Sequence, residues 1–167
     1  MIFLITVKSG REDKCLMDLL DAIYIYDNRV KAWRNNYTGL IVLETRLEEH
    51  TLINILRYKP IRHLYAVIPL KYVYNICDID LFIKDFSREI KDVDRLWIKF
   101  RMRDESKKIE DEIKEMVREI FEKNMKKLSS KRDAKYIIHI EGFDEKVGFN
   151  IFDREKYMKL KPFYHIE

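Results

Sequence analysis

IFLITVKSGREDKCLMDLLDAI, residues 2–23, runs from a strand directly into a helix. Its first six residues are a continuous apolar, β-branched run, as a buried strand requires. Ser9-Gly10-Arg11-Glu12 then spells a capping box, with Ser9 as N-cap and Glu12 reaching back to its amide. Leu16, Leu19, Leu20 and Ile23 follow at helical spacing. Beyond this unit, Asp27-Asn28 marks a turn and 29–34 (RVKAWR) alternates like a half-exposed strand. Asn35–Gly39 is a second turn, followed by the apolar strand Leu40–Leu43. Thr45-Arg46-Leu47-Glu48 is another capping box, opening a helix whose inner face is Leu47, Leu52, Ile55 and Leu56. Pro60 ends that helix, and 63–70 (HLYAVIPL) is a fourth strand. The order βαββαβ predicts a ferredoxin-like, split-βαβ domain over residues 1–72.

After a connector around 71–78 the pattern changes. Asp78 caps a helix with Ile79, Phe82, Ile83, Phe86 and Ile90 on one face. The strand 95–103 alternates, with Ile98, Phe100 and Met102 on one side and Trp97, Lys99, Arg101 and Arg103 on the other. Ser106 opens the longest helix, expected over 107–127, with Ile109, Ile113, Met116, Val117, Ile120 and Phe121 as its apolar stripe. A basic loop, 126–135, leads to strands 136–141 (YIIHIE) and 147–152 (VGFNIF), joined by the turn Gly142–Lys146. Residues 76–167 therefore read as a second module of order αβαββ, and the whole chain as α+β.

Composition narrows the function. Hydrophobic residues make up 47% of the 167, enough for a proper core. Only four glycines are available for phosphate-cradling loops. Cys15 and Cys77 form no CxxC, and the apolar start is too short for a signal core, so the expected setting is the cytoplasm, with reduced thiols. No stretch approaches the roughly 20 apolar residues of a membrane span. Charged residues are 37% and glutamine is absent, a bias that marks proteins of hot habitats. The net charge of +4 is modest but unevenly placed. Segment 95–108 carries six basic residues against two acidic, 123–135 six against one, and 154–161 four against one. Clumping of this kind builds the basic patch expected of a phosphate-backbone binder.

No GxxxxGK[ST], GxGxxG after a strand, HExxH, paired CxxC or GxSxG occurs. The four histidines, His50, His63, His139 and His165, never pair at ligand spacing, and His139 in an apolar strand reads as structural. Nothing specifies catalysis, a cofactor or a metal. The positive signal is Trp97-x-Lys99-x-Arg101-x-Arg103, which sets an aromatic and three cations about 7 Å apart in successive pairs, near the spacing of strand phosphates. Arginine offers a planar fork to phosphate, and tryptophan a stacking surface to unpaired bases. Lys107 and Lys108, expected in a first helical turn, add a phosphate seat. The plainer alternative is a solvated strand face with Trp97 covered by the tail.

The runs GRE (10–12), GLIVLET (39–45), ILRYKPIR (55–62) and VIPL (67–70), followed by WIKFRMRDESKKIEDEI (97–113), resemble the THUMP-domain proteins. The resemblance is to the short members with an N-terminal ferredoxin-like domain plus THUMP and no enzyme domain. The closing SSKRDAKYIIHIEGFDEKVGFNIF (129–152) is similar to the family's last strands, although Arg132-Asp133-Ala134 stands where Asn-Pro-Asp is frequent. The resemblance implies docking of tRNA for a modifying enzyme, in the eukaryotic members a cytidine N4-acetyltransferase. The family's binding residues match Lys99, Arg101, Arg103, Lys107 and Lys108, and charge alone adds Lys126, Lys127, Lys131 and Arg132. The expected function is a non-catalytic tRNA-binding adaptor with a tRNA acetyltransferase as partner; DNA is not expected. The alternative is a ferredoxin-like regulatory or protein-interaction subunit of another RNA-processing assembly.

Overall fold

The computed structural model describes residues 1–160, except for the side chains of residues 104 and 105. Lys161, His165 and the end of the expected 76–167 module lie outside the described residues. Two compact units divide the chain, one of residues 1–70 with the segment from Met158, the other Lys71–Tyr157.

The first unit runs β1 (Ile2–Val7), α1 (Glu12–Ile23), β2 (Lys31–Arg34), β3 (Leu40–Glu44), α2 (Glu49–Tyr58) and β4 (Leu64–Leu70). Its sheet has the order β2-β3-β1-β4 with every neighbour antiparallel. Because β3 lies between β1 and β2, this is a split βαβ arrangement. The inner strands β1 and β3 carry continuous apolar runs that are buried almost throughout. Phe3, Ile5, Leu19, Ile23, Ile41, Leu43 and Leu52 form the fully buried centre of the core.

Both expected capping boxes turn out differently. The residue before α1 is Arg11, with no side-chain cap. Glu12 is buried at the first helical position, and its Oε1 accepts the Gly39 amide at 2.7 Å. Burial opposes its ionisation, yet amides of Glu12, Gly39 and Gly10 hold its carboxyl below the ordinary carboxylate value. Gly39 has φ +78°, and a Cβ there would stand 3.0 Å from the Val7 carbonyl, so only glycine brings that amide close. Thr45 likewise serves a turn. Its hydroxyl donates to Asp27 Oδ2 at 2.6 Å, which also accepts the Arg46 amide, and α2 begins only at Glu49. In each case a longer-range polar partner outcompetes the local cap.

Residues 158–160 group with this unit. β4 is an edge strand whose outward amides need partners. There the Val67 amide donates to the Leu160 carbonyl at 3.3 Å, and Arg57 Nη2 to the Lys159 carbonyl at 3.2 Å.

The second unit runs β5 (Tyr72–Asn75), α3 (Ile79–Ile90), β6 (Leu96–Arg101), α4 (Glu110–Lys123), β7 (Tyr136–Phe143), β8 (Lys146–Asp153) and α5 (Arg154–Lys159). The sheet order is β5-β8-β7-β6, with β6 parallel to β7 and the other pairs antiparallel. The connector expected at 71–78 supplies β5, whose Tyr-Val-Tyr run is good strand material. The expected helix over 107–127 is shorter: residues 104–109 form a 3-10 segment first. The Ser106 hydroxyl accepts the Arg103 amide and donates to the Arg103 carbonyl, which tightens this turn and delays the α-helix. α3 and α4 cover one face of the sheet, where Phe82, Phe86, Phe149, Ile113, Ile138 and Ile140 are all fully buried.

Candidate nucleic-acid interface

Leu96, Ile98 and Phe100 of β6 point into the helix-covered core. Strand alternation therefore turns Trp97, Lys99 and Arg101 to the opposite face, where all three are half-buried. The basic loop comes to the same place. The Ser129 amide donates to the Leu96 carbonyl at 2.7 Å, and Arg154 Nη1 donates to the carbonyls of Lys131 and Arg132. Pinned on both sides, the loop sets the Lys131 ammonium over the Trp97 ring, 5.5 Å from its centroid. Strand and loop thus build one surface from Trp97, Lys99, Arg101 and Lys131. Lys107, Lys108, Lys127 and Arg132 are exposed nearby in sequence. Lys107 and Lys108 stand in the last turn of the 3-10 segment, not at the start of an α-helix. Lys126 closes the loop, donating to the Val93 carbonyl at 2.9 Å.

Arg103 departs from the expectation of an outward cation. Alternation keeps it on the same face, but it is only 3% exposed and its Nη2 pairs with Glu141 Oε1 at 2.5 Å. The chain leaves β6 at Arg101 and turns at once into the 3-10 segment, so Arg103 is folded against the sheet instead of extending the strip. Its charge is consumed by a buried carboxylate and is not offered to solvent.

Glu141 belongs to a network that the sequence reading missed. Its other oxygen bonds His139 Nε2, and His139 Nδ1 lies 3.2 Å from the Tyr157 hydroxyl. His139 and Glu141 are 1% and 2% exposed. Burial pushes the Glu141 carboxyl up, but the His139 hydrogen bond and the charges of His139, Arg103 and Arg101 more than offset it. Burial, with the negative charge of Glu141, raises the Tyr157 phenol, so it stays protonated. Tyr157 comes from α5, which was unassigned in the sequence and packs on this face against His139 and Phe152. The available signal was His139-x-Glu141, two polar residues on one face of an otherwise apolar strand.

Among the described residues no group of three His, Cys, Asp or Glu side chains could hold a metal ion. No described helix is long and apolar enough to cross a membrane. Cys15 is buried, donates to the Arg62 carbonyl, and has its thiol pushed up by burial.

The fold is a mixed α+β arrangement of two sheets, here carrying a basic face around one half-buried tryptophan, and it is shared with several solved structures. TrmN from Thermus thermophilus superposes on 98% of this chain and 47% of its own, with TM-score 0.57 and 12% identity. PH1313 from Pyrococcus horikoshii Ot3 covers 90% of this chain and 54% of its own at TM-score 0.54 and 16% identity. A 4-thiouridine synthetase, solved with RNA and bound ATP, covers 90% and 40% at TM-score 0.52 and 12% identity. The chain thus spans about half the length of these structures. Its sequence matches no family model and none of the curated proteins.

Proposed function

We propose that this protein binds tRNA through the Trp97–Lys99–Arg101–Lys131 face and presents it to a separate modifying enzyme, with cytidine N4-acetylation as the first candidate reaction. In this reading the first unit is the ferredoxin-like module, the second is the THUMP module, and the chain performs no chemistry itself. The observation that carries it is the Lys131–Trp97 pair, which gathers the basic loop and the basic strand around one aromatic ring. Phosphates take the cations and an unpaired base takes the ring, the usual division between backbone and base contacts. The fold shared with a 4-thiouridine synthetase solved with RNA supports the choice of ligand. The expected setting is the cytoplasm, where tRNA is modified. A gel shift with total tRNA across a salt series tests the reading; affinity that is absent at low salt, or insensitive to salt, removes it.

A second reading, a protein-interaction subunit of an RNA-processing assembly, draws on Tyr24, Ile25, Tyr26 and Tyr58, all largely exposed in the first unit. Large apolar side chains left in water commonly mark a protein contact. Copurification that survives ribonuclease treatment and is lost in a Tyr24→Ser/Ile25→Ser variant favours this reading.

A further inference from the structure

The basic clump 154–161 opens α5, apart from the strand and loop that form the Trp97 face. Arg154 stands first in it. Its backbone amide donates to the Lys135 carbonyl at 2.9 Å. Its Nη1 donates to the Lys131 carbonyl at 3.1 Å and also to the Arg132 carbonyl. These acceptors belong to a tight turn in which the amides of Asp133 and Ala134 both donate to the Ser130 carbonyl, at 3.1 and 3.0 Å. The next carbonyls of such a turn have no partner within it, and a basic side chain is a fitting donor for them. α5 is itself anchored: Tyr157 is 6% exposed, its ring packs on Phe152, and its hydroxyl lies 3.2 Å from His139 Nδ1. Arg154 therefore reaches the turn from a fixed base. The same turn carries Lys131, whose ammonium lies over the Trp97 ring.

We propose that Arg154 is a positioning residue for RNA binding, whose guanidinium ties the 130–134 turn to α5 and so holds Lys131 over Trp97. This rests on the tRNA-binding reading above. Arg154 then acts through Lys131 and not as one more phosphate contact. An untied turn has to be ordered when it meets a ligand, and that cost is subtracted from affinity. Arg154→Lys separates the two roles. It keeps the charge, but lysine is one bond shorter and lacks the flat fork, so it does not hold both carbonyls. A plain phosphate contact predicts parental binding in this variant, whereas positioning predicts a loss.

The experiment compares the parent, Arg154→Lys and Arg154→Ala, each with and without Lys131→Ala. Arg154 is exposed, so these variants keep the fold, which thermal unfolding checks. Total tRNA is titrated over a salt series. In the free protein, nuclear magnetic resonance follows the Lys131 side-chain methylenes, which the Trp97 ring current displaces while the ammonium stays over the ring. Trp97→Ala supplies the undisplaced reference. The expected result is about tenfold weaker binding in Arg154→Lys at the parental salt slope. Lys131→Ala weakens the parent but adds little in either Arg154 variant. The Lys131 methylene shifts move to the reference values in both Arg154 variants. Parental affinity in Arg154→Lys overturns the proposal, as does full additivity with Lys131→Ala. So do parental Lys131 shifts in Arg154→Lys. A parent that binds no tRNA removes the RNA reading, and the Lys131 shifts then still decide for or against the Arg154 tie.

Discussion

The Lys131 ammonium stands 5.5 Å from the centroid of the Trp97 ring, so a loop lysine and a strand tryptophan share one surface. A base that stacks on this ring meets a cation already in place. Trp97→Ala should weaken binding of RNA with an unpaired 3′ end by about 1–3 kcal/mol and leave a blunt duplex unaffected. Lys131→Ala should act on both RNAs, through phosphate. Fluorescence anisotropy with the two labelled RNAs measures this. Equal loss on both for Trp97→Ala assigns the tryptophan a structural task only.

Arg101 and Arg103 are two residues apart and should behave as different kinds of residue. Arg101→Ala should reduce the slope of log K against log[salt] by about one unit, with little effect on stability. Arg103→Ala strands a buried carboxylate and should cost about 3–5 kcal/mol of folding free energy. Urea denaturation and salt-dependent binding, run on both variants, separate them. Similar stability for the two would mean that the Arg103–Glu141 pair contributes little.

Acid should destabilise the protein through Glu12 and Glu141. Both carboxyls titrate below their ordinary value of 4.5 in the folded chain. A depressed folded value gives stability that is fully present above the unfolded value and is lost as pH falls through the folded one. Urea midpoints should therefore hold from neutrality to about pH 5 and fall below 4.5. Glu12→Gln should lower the neutral midpoint and flatten the acid limb. An acid limb as steep as the parent's would remove Glu12 from the account.

Gly142 is a packing constraint beneath the 3-10 segment. A Cβ at this position would collide with Ser106 Oγ, Ser106 Cβ and Met102 Sδ. Met102 can swing aside, but Ser106 is tied to Arg103. Gly142→Ala should cost about 1–3 kcal/mol and displace the segment carrying Lys107 and Lys108. Thermal unfolding checks the first effect, and backbone amide shifts of residues 104–109 the second.

Supplied with acetyl-CoA, S-adenosylmethionine or ATP, the purified protein should leave tRNA unmodified. Nothing among the described residues gathers a metal-ligand cluster, and His139, the one buried imidazole among them, is only 1% exposed. A presenting protein acts by proximity. Added to a tRNA acetyltransferase, it should lower the apparent KM for tRNA far more than it changes kcat. Label transfer by this chain alone, abolished by changing one of its own side chains, would overturn the adaptor reading.

The sequence by itself set the first unit's element order and the core faces of its helices, because each rests on local periodicity. Apolar runs at 2–7 and 40–43 read as strands, and Leu19, Ile23, Leu52 and Leu56 as core positions of their helices. The same alternation placed Trp97, Lys99 and Arg101 on one face of β6, and charge clumping marked the loop of Lys131. Tertiary structure decided what these residues meet. Glu12 and Thr45 carry the spacing of capping residues, yet their oxygens go to Gly39 and Asp27, partners that come close only once the chain has folded back. Arg103 reads like Arg101 along the strand; only the approach of β7 brings Glu141 beneath it. His139 reads as a lone histidine until α5 sets Tyr157 against it. Periodicity tells which way a side chain points, whereas its partner and its access to water depend on residues distant in sequence, and those are fixed by packing alone.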